Sequence, residues 1–330
     1  MPSYFQSADS VAGYIGPIER SPILLEPILR ERVWGRDDLP FFPCWRAANI
    51  RLIGEAWFTF EENSTSLGIS LGELIRKHPE VLGNAADPKH PGICPLLMKL
   101  IFTRERLSVQ VHPDDAYAEL HHHSLGKTEA WYVIDAQPGA EVAMGFRQPI
   151  TRERLKQAAQ SGEIEHLLAW HRVQAGDVIF VPAGTVHAIG AGLTICEVQE
   201  NSDITYRLYD YGRPRELHLE HGVAVSYLQP YSFESHTVPI AQGRDSLTEC
   251  KYFRMERLRP KRRVSISSGL PCYALLMCLR GEGQIGAAQF EPGQVWMMPA
   301  EGDELSIEGP DSEWILTYTA DERLPGVFVD

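Results

Sequence analysis

The stretch Gly176-Asp-Val-Ile-Phe-Val-Pro182-Ala-Gly184-Thr-Val-His187 constrains the chain more than any other. A glycine opens a short β-branched and aromatic run, and a proline and a second glycine close it. Such punctuation turns the chain sharply between two strands, and a histidine just past the turn is placed to point inward. With 27 glycines and 23 prolines in 330 residues, tight turns are frequent throughout. Many short strands between turn signals indicate a β-barrel or sandwich rather than a doubly wound α/β fold.

The rest of the chain agrees. Ile23 to Val33 and GEAWFTF (Gly54 to Phe60) are β-compatible, as are LLMKLIF from Leu96, LSVQVH, AWYVIDA, EVAMGF, DVIFVP, TICEVQ and TYRLYDY. Helices interrupt them. Ser70 with Glu73 three residues on is a capping-box pattern for a short helix ending near Pro79 or Gly83. DDAYAELHHH suits another, and Thr151 caps a stretch running to about Trp170, with Arg154 where a capping box wants an acid. Residues 84 to 95 read as a Pro/Gly-rich loop. Residues 229 to 247 lose all periodicity and read as a linker. Beyond them, 249 to 330 holds about seven short strand candidates, including ALLMCL, GQIGAAQF, QVWMMP and EWILTY. At roughly 150 residues per domain, two domains are expected. The division is 1–235, with helical insertions at about 60–95 and 151–170, and 248–330. The fold class is mainly β, two jelly-roll barrels in tandem with short helical segments.

Charge narrows the function. The 31 basic and 44 acidic residues leave −13, a field that repels phosphate backbones, and no basic patch offsets it. Nucleic-acid binding is therefore not expected. No run approaches 18 apolar residues, and the opening MPSYFQSADSVAGYIG lacks a basic segment followed by an apolar one, which predicts a soluble chain without membrane association. The six cysteines are scattered, with no CxxC, as buried reduced thiols of a cytoplasmic protein would be.

A metal site on strands needs ligands at i, i+2, so that both fall on one face. Gln110 and His112 in LSVQVHPDD meet that condition. Glu129 stands at the mouth of another strand, and with His187 completes a Gln, His, Glu, His set suited to a borderline divalent ion such as zinc. The pattern G-x5-P-x-G-x2-H resembles the second motif of the cupin barrels. LSVQVHPDD, GKTEAWYVIDA, GDVIFVPAGTVHAIGAG and CEVQENSDITYRLYDYGR, in this order, resemble the type I phosphomannose isomerases in their short bacterial form, from about Pro22 to Arg213. The tail is similar to that family's C-terminal barrel more loosely.

The resemblance implies one zinc ion per chain, held by Gln110, His112, Glu129 and His187. It implies an active-site arginine at Arg207, after Asn201-Ser202-Asp203, and lysines at Lys127 and Lys99. Trp34, Glu55, Ser108, Glu197 and Asp203 match pocket positions. Longer members carry an aromatic residue two positions after the zinc histidine, where this chain has Ile189. The implied reaction interconverts mannose 6-phosphate and fructose 6-phosphate through an enediol(ate), which requires a proton to move between C1 and C2 and a carbonyl oxygen to gain charge. Lys127 is a candidate base or phosphate ligand, since a neighbouring cation favours its neutral form. Arg207 offers a planar fork for the phosphate or for the enediolate. A sugar phosphate is then the partner, and the chain a monomer or homodimer.

Several eye-catching residues have plainer readings. His121, His122 and His123 end a polar helix and read as a solvated face. Asp114 and Asp115 suit a helix N-terminus. Trp131, Trp170 and Trp296 read as core, whereas Trp34 is as suited to a sugar platform. In the second barrel Gly293 to Pro299 keeps the turn, but Glu301 replaces the next glycine and Glu304 the histidine, so that barrel is expected to hold no metal. Two further functions compete with the isomerase: an iron-dependent cupin oxygenase, which leaves Gln110 and the Asn201-to-Arg207 stretch without a task, and a non-enzymatic sugar-binding cupin, which the retained Lys127 and Arg207 disfavour.

Overall fold

Leu96–Phe102, LLMKLIF, is apolar on both faces apart from one lysine, and it folds as a strand buried along its whole length. A strand like this must lie between two layers. In the computed structural model, which describes residues 20–39, 52–232 and 237–330, it is a central strand of a six-stranded sheet. The strands run in the order Ile28–Arg36, Ile53–Trp57, Leu96–Phe102, Leu193–Glu200, Glu129–Ala136, Val178–Val181. A five-stranded sheet faces it, in the order Tyr206–Tyr209, Val109–Val111, His187–Ile189, Glu141–Phe146, Leu168–Arg172. These two sheets form the first barrel.

The second barrel pairs a seven-stranded with a five-stranded sheet. Its strand Ala274–Arg280 shows how the barrels join. Leu276 and Cys278 point into the second barrel's own core, while Leu275, Met277 and Leu279 pack in a cluster with Leu96, Met98, Leu100 and Phe102 of the first. The period of two thus places alternate residues of one strand in two different cores. The architecture is mainly β, with short helices Leu71–Lys77, Asp115–His122 and Arg152–Ser161 on the first barrel. No helix among the described residues is long and apolar enough to cross a membrane.

Local chemistry accounts for the helix starts. Ser70, Asp114 and Thr151 each accept a hydrogen bond from the backbone N–H three residues on. Three readings need correction. The apolar run from Ile23 divides at Pro27: Ile23–Leu25 pairs antiparallel with Leu25↔Val295 in the second barrel, and Ile28–Arg36 enters the first. The helical stretch expected to reach Trp170 stops earlier, because Leu168–Arg172 pairs with Glu141–Phe146 as a strand. Within the expected linker, Val238–Ala241 and Arg244–Glu249 form a hairpin on the edge of the seven-stranded sheet. Its signal is hidden because its buried positions are polar: Arg244 is inside, paired with Glu256 at 2.6 Å, and Asp245 meets Arg257 and Arg259. The opening segment, Cys44 and residues 233–236 lie outside the described residues.

The second barrel's interior is filled by Leu258, Val264, Ile266, Trp314, Leu316 and their neighbours. Glu304, where the first barrel has His187, is exposed. Glu301 takes the left-handed conformation, φ 54°, that Gly184 takes in the first barrel at 84°.

Candidate active site and metal centre

Two facing sheets supply the metal-ligand set. His187 lies directly opposite Gln110 in the five-stranded sheet. Glu129 opens a strand of the six-stranded sheet and reaches across the barrel to both histidines: its Oε1 is 3.3 Å from His187 Nε2 and its Oε2 is 3.6 Å from His112 Nε2. All three residues are buried, and their ligand atoms lie within 4.8 Å of one another.

The tautomers follow from the hydrogen bonds. His112 Nδ1 is 2.9 Å from the Ile204 carbonyl and His187 Nδ1 is 2.9 Å from the Thr185 carbonyl. A carbonyl accepts only, so each Nδ1 carries the proton and donates it. Burial lowers the His112 pKa well below its ordinary value and that of His187 to about 4, so both rings are neutral and each Nε2 is a bare lone pair. Among the described residues, His112 Nε2 and both Glu129 oxygens have no hydrogen-bond partner, the Lys127 ammonium standing off at 3.6 Å from Glu129. Lone pairs converging in a buried space are costly unless donors or a cation lie among them. Burial, and then the Glu197 carboxylate, raise the Glu129 pKa, and a cation at the centre would reverse that direction. Gln110 turns its amide nitrogen toward His187 Nε2 at 3.2 Å and its oxygen toward Ser108 Oγ at 3.4 Å. A flip of the amide exchanges these partners and aims the oxygen at the ligand cluster. The donor set, two imidazoles, a carboxylate and an amide oxygen, fits zinc.

Beside this cluster is a cavity of about 480 Å³ lined by Trp34, Glu55, Lys99, Ser108, Gln110, Lys127, Glu197, Asp203 and Arg207, so the structure brings the residues expected in the pocket around one space. Strand register accounts for much of this. Lys99 lies opposite Glu197, and Glu197 opposite Trp131, on the face of the six-stranded sheet that looks into the barrel. Lys99 Nζ is 3.3 Å from Glu197, donates to Gln199 Oε1 at 2.7 Å and lies 4.5 Å from the centre of the Trp57 ring. Trp131 Nε1 donates to Glu197 Oε1 at 3.0 Å. Burial pushes the Glu197 pKa up, but Lys99 and Lys127 outweigh it and hold the carboxylate ionised. Lys127 Nζ is 3.6 Å from Glu129. Burial alone would favour the neutral amine, yet Glu129, Glu197, Asp203 and Glu55 together raise its pKa.

Cations around the cavity differ in how they are compensated. Arg32 meets Glu55 at 2.6 Å, and Arg215 holds Asp210 through two hydrogen bonds. Lys99 and Lys127 have their glutamates. Arg207 has no carboxylate within 4 Å among the described residues. Its Nη1 donates to the Glu216 carbonyl at 2.9 Å, and its buried Nε has no partner among the described residues. Ile189 lines the apolar wall with Trp34, Ile101 and Leu107.

Sequence reasoning missed Arg32, Arg215 and Gln199. Gln199 was findable from its i+2 spacing to Glu197 on a strand. Arg32 and Arg215 carry no such signal, because bulged pairing and a loop bring them to the cavity. His121 and His122 are exposed beside Tyr117, Tyr206 and His221. Trp131 and Trp296 are buried, and Trp170 is partly so.

Residues 51–145 match the model of the phosphomannose isomerase type I catalytic domain. The chain is 36% identical over 315 residues to mannose-6-phosphate isomerase ManA of Bacillus subtilis (strain 168), covering 87% of this chain and 96% of that one. It is 34% identical over 319 residues to the mannose-6-phosphate isomerase of Streptococcus mutans, covering 89% and 94%. Among solved structures, the Bacillus subtilis mannose 6-phosphate isomerase superposes with a TM-score of 0.79 at 28% identity, over 90% of this chain and 99% of that one. A putative mannosephosphate isomerase from Archaeoglobus fulgidus shares the fold, with a TM-score of 0.75 at 23% identity over 92% and 99%.

Proposed function

The chain belongs to the type I phosphomannose isomerases, and from that premise we propose that it interconverts D-mannose 6-phosphate and D-fructose 6-phosphate, moving a proton between C1 and C2 through an enediol(ate), with one zinc ion per chain. The observation that carries this reading is the buried convergence of His112 Nε2, His187 Nε2 and the Glu129 carboxylate, opening on a cavity where Arg207 makes no ion pair among the described residues. A two-histidine, one-carboxylate set also suits a non-haem iron oxygenase. Family membership sets that reading aside, and with it the non-enzymatic sugar binder.

Gln110, His112, Glu129 and His187 would hold the ion. Bound there, zinc supplies Lewis-acid polarisation of the oxygens at C1 and C2 without redox chemistry. The chain's own groups do the rest. Lys127 and Arg207 carry the reaction, Lys127 from the metal side of the cavity and Arg207 by receiving the substrate's negative charge. The Lys99 ammonium is already held by Glu197 and Gln199, so it acts on the sugar through the Glu197 carboxylate that it keeps ionised. Ser108, Glu55 and Asp203 offer hydrogen bonds to the hydroxyls, and Trp34 an apolar face.

Turnover of mannose 6-phosphate, coupled to formation of glucose 6-phosphate and measured before and after chelation with elemental analysis of the same samples, tests the proposal. Activity should fall with the zinc content and return on adding zinc. Undiminished turnover by metal-free protein would overturn the zinc assignment, and equal turnover of free mannose would overturn the substrate, since phosphate binding helps place the reacting carbons.

A further inference from the structure

Lys127 and Glu129 reach the cavity from a segment whose backbone is held from behind. The Gly126 N–H donates to Asp115 Oδ1 at 3.0 Å, the Lys127 N–H to the Pro113 carbonyl at 2.9 Å, and the Thr128 N–H to Glu200 Oε2 at 2.8 Å. The Glu200 N–H in turn donates to the Thr128 carbonyl at 3.1 Å. Gly126 lies so close to the 114–115 backbone that a Cβ there would fall 2.5 Å from the Asp115 nitrogen. The Asp115 and Glu200 carboxyls also lie close enough to shift each other's titration. Two carboxyls in contact hold together only by sharing a proton. Glu200, 4% exposed, is the more deeply buried of the two, and burial pushes its pKa up to about 8. Asp115 stays below the usual carboxylate range: burial opposes this, but the Gly126, Glu200 and Tyr252 hydrogen bonds and the Lys251 charge outweigh it. Lys251, its Nζ 3.8 Å from Asp115 Oδ2, and Tyr252 come from the second barrel, and Asp114 and Cys250 are the other titratable groups nearby.

We propose that Asp115 and Glu200 are positioning residues for the isomerase reaction: a carboxyl–carboxylate clamp, closed from the second barrel by Tyr252, that fixes the 126–128 backbone and so aims Lys127 and Glu129 into the cavity. The inference rests on the activity proposed above. It gives the second barrel a part in the chemistry of the first.

The isosteric amide separates positioning from mere folding. In Glu200→Gln the amide nitrogen donates to Asp115 and the oxygen accepts from Thr128, which keeps the clamp without its proton. Full-length, zinc-loaded wild type, Glu200→Gln, Glu200→Ala and Tyr252→Phe are compared for kcat and KM on mannose 6-phosphate from pH 6 to 9, alongside metal content and circular dichroism. Misaimed groups should lower kcat of Glu200→Ala by about 10- to 100-fold at unchanged zinc content. Glu200→Gln should match wild type at pH 7 and fall off less above pH 8. Tyr252→Phe should lose kcat more than it gains KM. The clamp is overturned if Glu200→Gln is as impaired as Glu200→Ala, if Glu200→Ala folds and keeps its kcat, or if Tyr252→Phe changes only thermal stability. Should Glu200→Ala not fold, Glu200→Gln and Tyr252→Phe still decide. Wild type that does not turn over mannose 6-phosphate overturns the activity instead, a result distinct from a normal wild type with unaffected variants.

Discussion

His112 and His187 present Nε2 to Glu129 because backbone carbonyls hold each Nδ1–H, so both rings are oriented before any ion arrives. Replacing both with alanine removes two of four proposed ligands, and His112→Ala plus His187→Ala should contain no zinc by elemental analysis, against one per chain in wild type. Lys127 and Arg207 touch the cavity without belonging to the ligand set. Lys127→Met and Arg207→Ala should therefore retain zinc and fold while kcat/KM drops by about 10²-fold or more, as loss of a proton-transfer or charge-stabilising group does. The Arg207 backbone is itself pinned, its N–H donating to His218 Nδ1 at 3.2 Å and its carbonyl accepting from the His218 N–H at 2.8 Å. Glu200 makes a pH-dependent contribution whose sign is set by its raised pKa. Between the unfolded value of roughly 4.3 and the folded value the native state keeps a proton that the unfolded chain has lost, so the contribution is full below that window and drains as pH rises through it. Glu200→Gln has no such slope. The difference in Tm, variant minus wild type, should grow from about pH 5 to 8 in scanning calorimetry.

At the scale of elements, the strand carrying His187 ends where it must clear its neighbour. The Gly190 N–H donates to the Glu141 carbonyl at 2.9 Å, and a Cβ at Gly190 would lie 2.2 Å from that same oxygen. Because the clash is with backbone, Gly190→Ala must displace one strand of the sheet that carries Gln110 and His187. The expected outcome is a destabilisation of about 1–3 kcal/mol in urea unfolding together with weakened zinc retention on dialysis. Unchanged stability would show that the strand end shifts freely. The corresponding turn of the second barrel reaches the same left-handed region with Glu301, φ 54°, where the first barrel has Gly184 at 84°.

At the scale of the molecule, the barrels share a core. Leu96, Met98, Leu100, Ala130 and Val198 of the first pack in one cluster with Leu275, Met277, Val295, Met297 and Ile315 of the second. Ile23–Leu25 crosses over to pair with Val295–Met298, and Tyr132 of the first barrel donates to Glu313 of the second at 2.6 Å. Two units joined through fully buried side chains should unfold together, so calorimetry should record one transition, with loss of activity and of second-barrel structure coinciding. Met277→Ala, cutting into the shared cluster, should cost about 2–5 kcal/mol and lower stability in both barrels at once. Two separated transitions in wild type would show that the shared core does not couple them.

The sequence by itself determined the β class, the tandem barrels' turn signals, the helix caps at Ser70, Asp114 and Thr151, and the ligand candidates, because each is written in local spacing: period two on a strand, glycine and proline at a turn, a side-chain oxygen three residues before an amide. Residues 238–249 were illegible because Val238–Ala241 is an exposed edge strand and Arg244–Glu249 is buried largely through ion pairs, and Ile23–Leu25 could not be assigned to a barrel because its partner strand lies some 270 residues away. The same holds at the site. Only folding decided that Glu129 faces histidines from the opposite sheet, that Lys99 is held by Glu197 while Arg207 meets a backbone carbonyl, and that Tyr252 of the second barrel approaches Asp115. Charge compensation depends on which side chains meet across sheets and between barrels, and those meetings are set by packing rather than by any pattern along the chain.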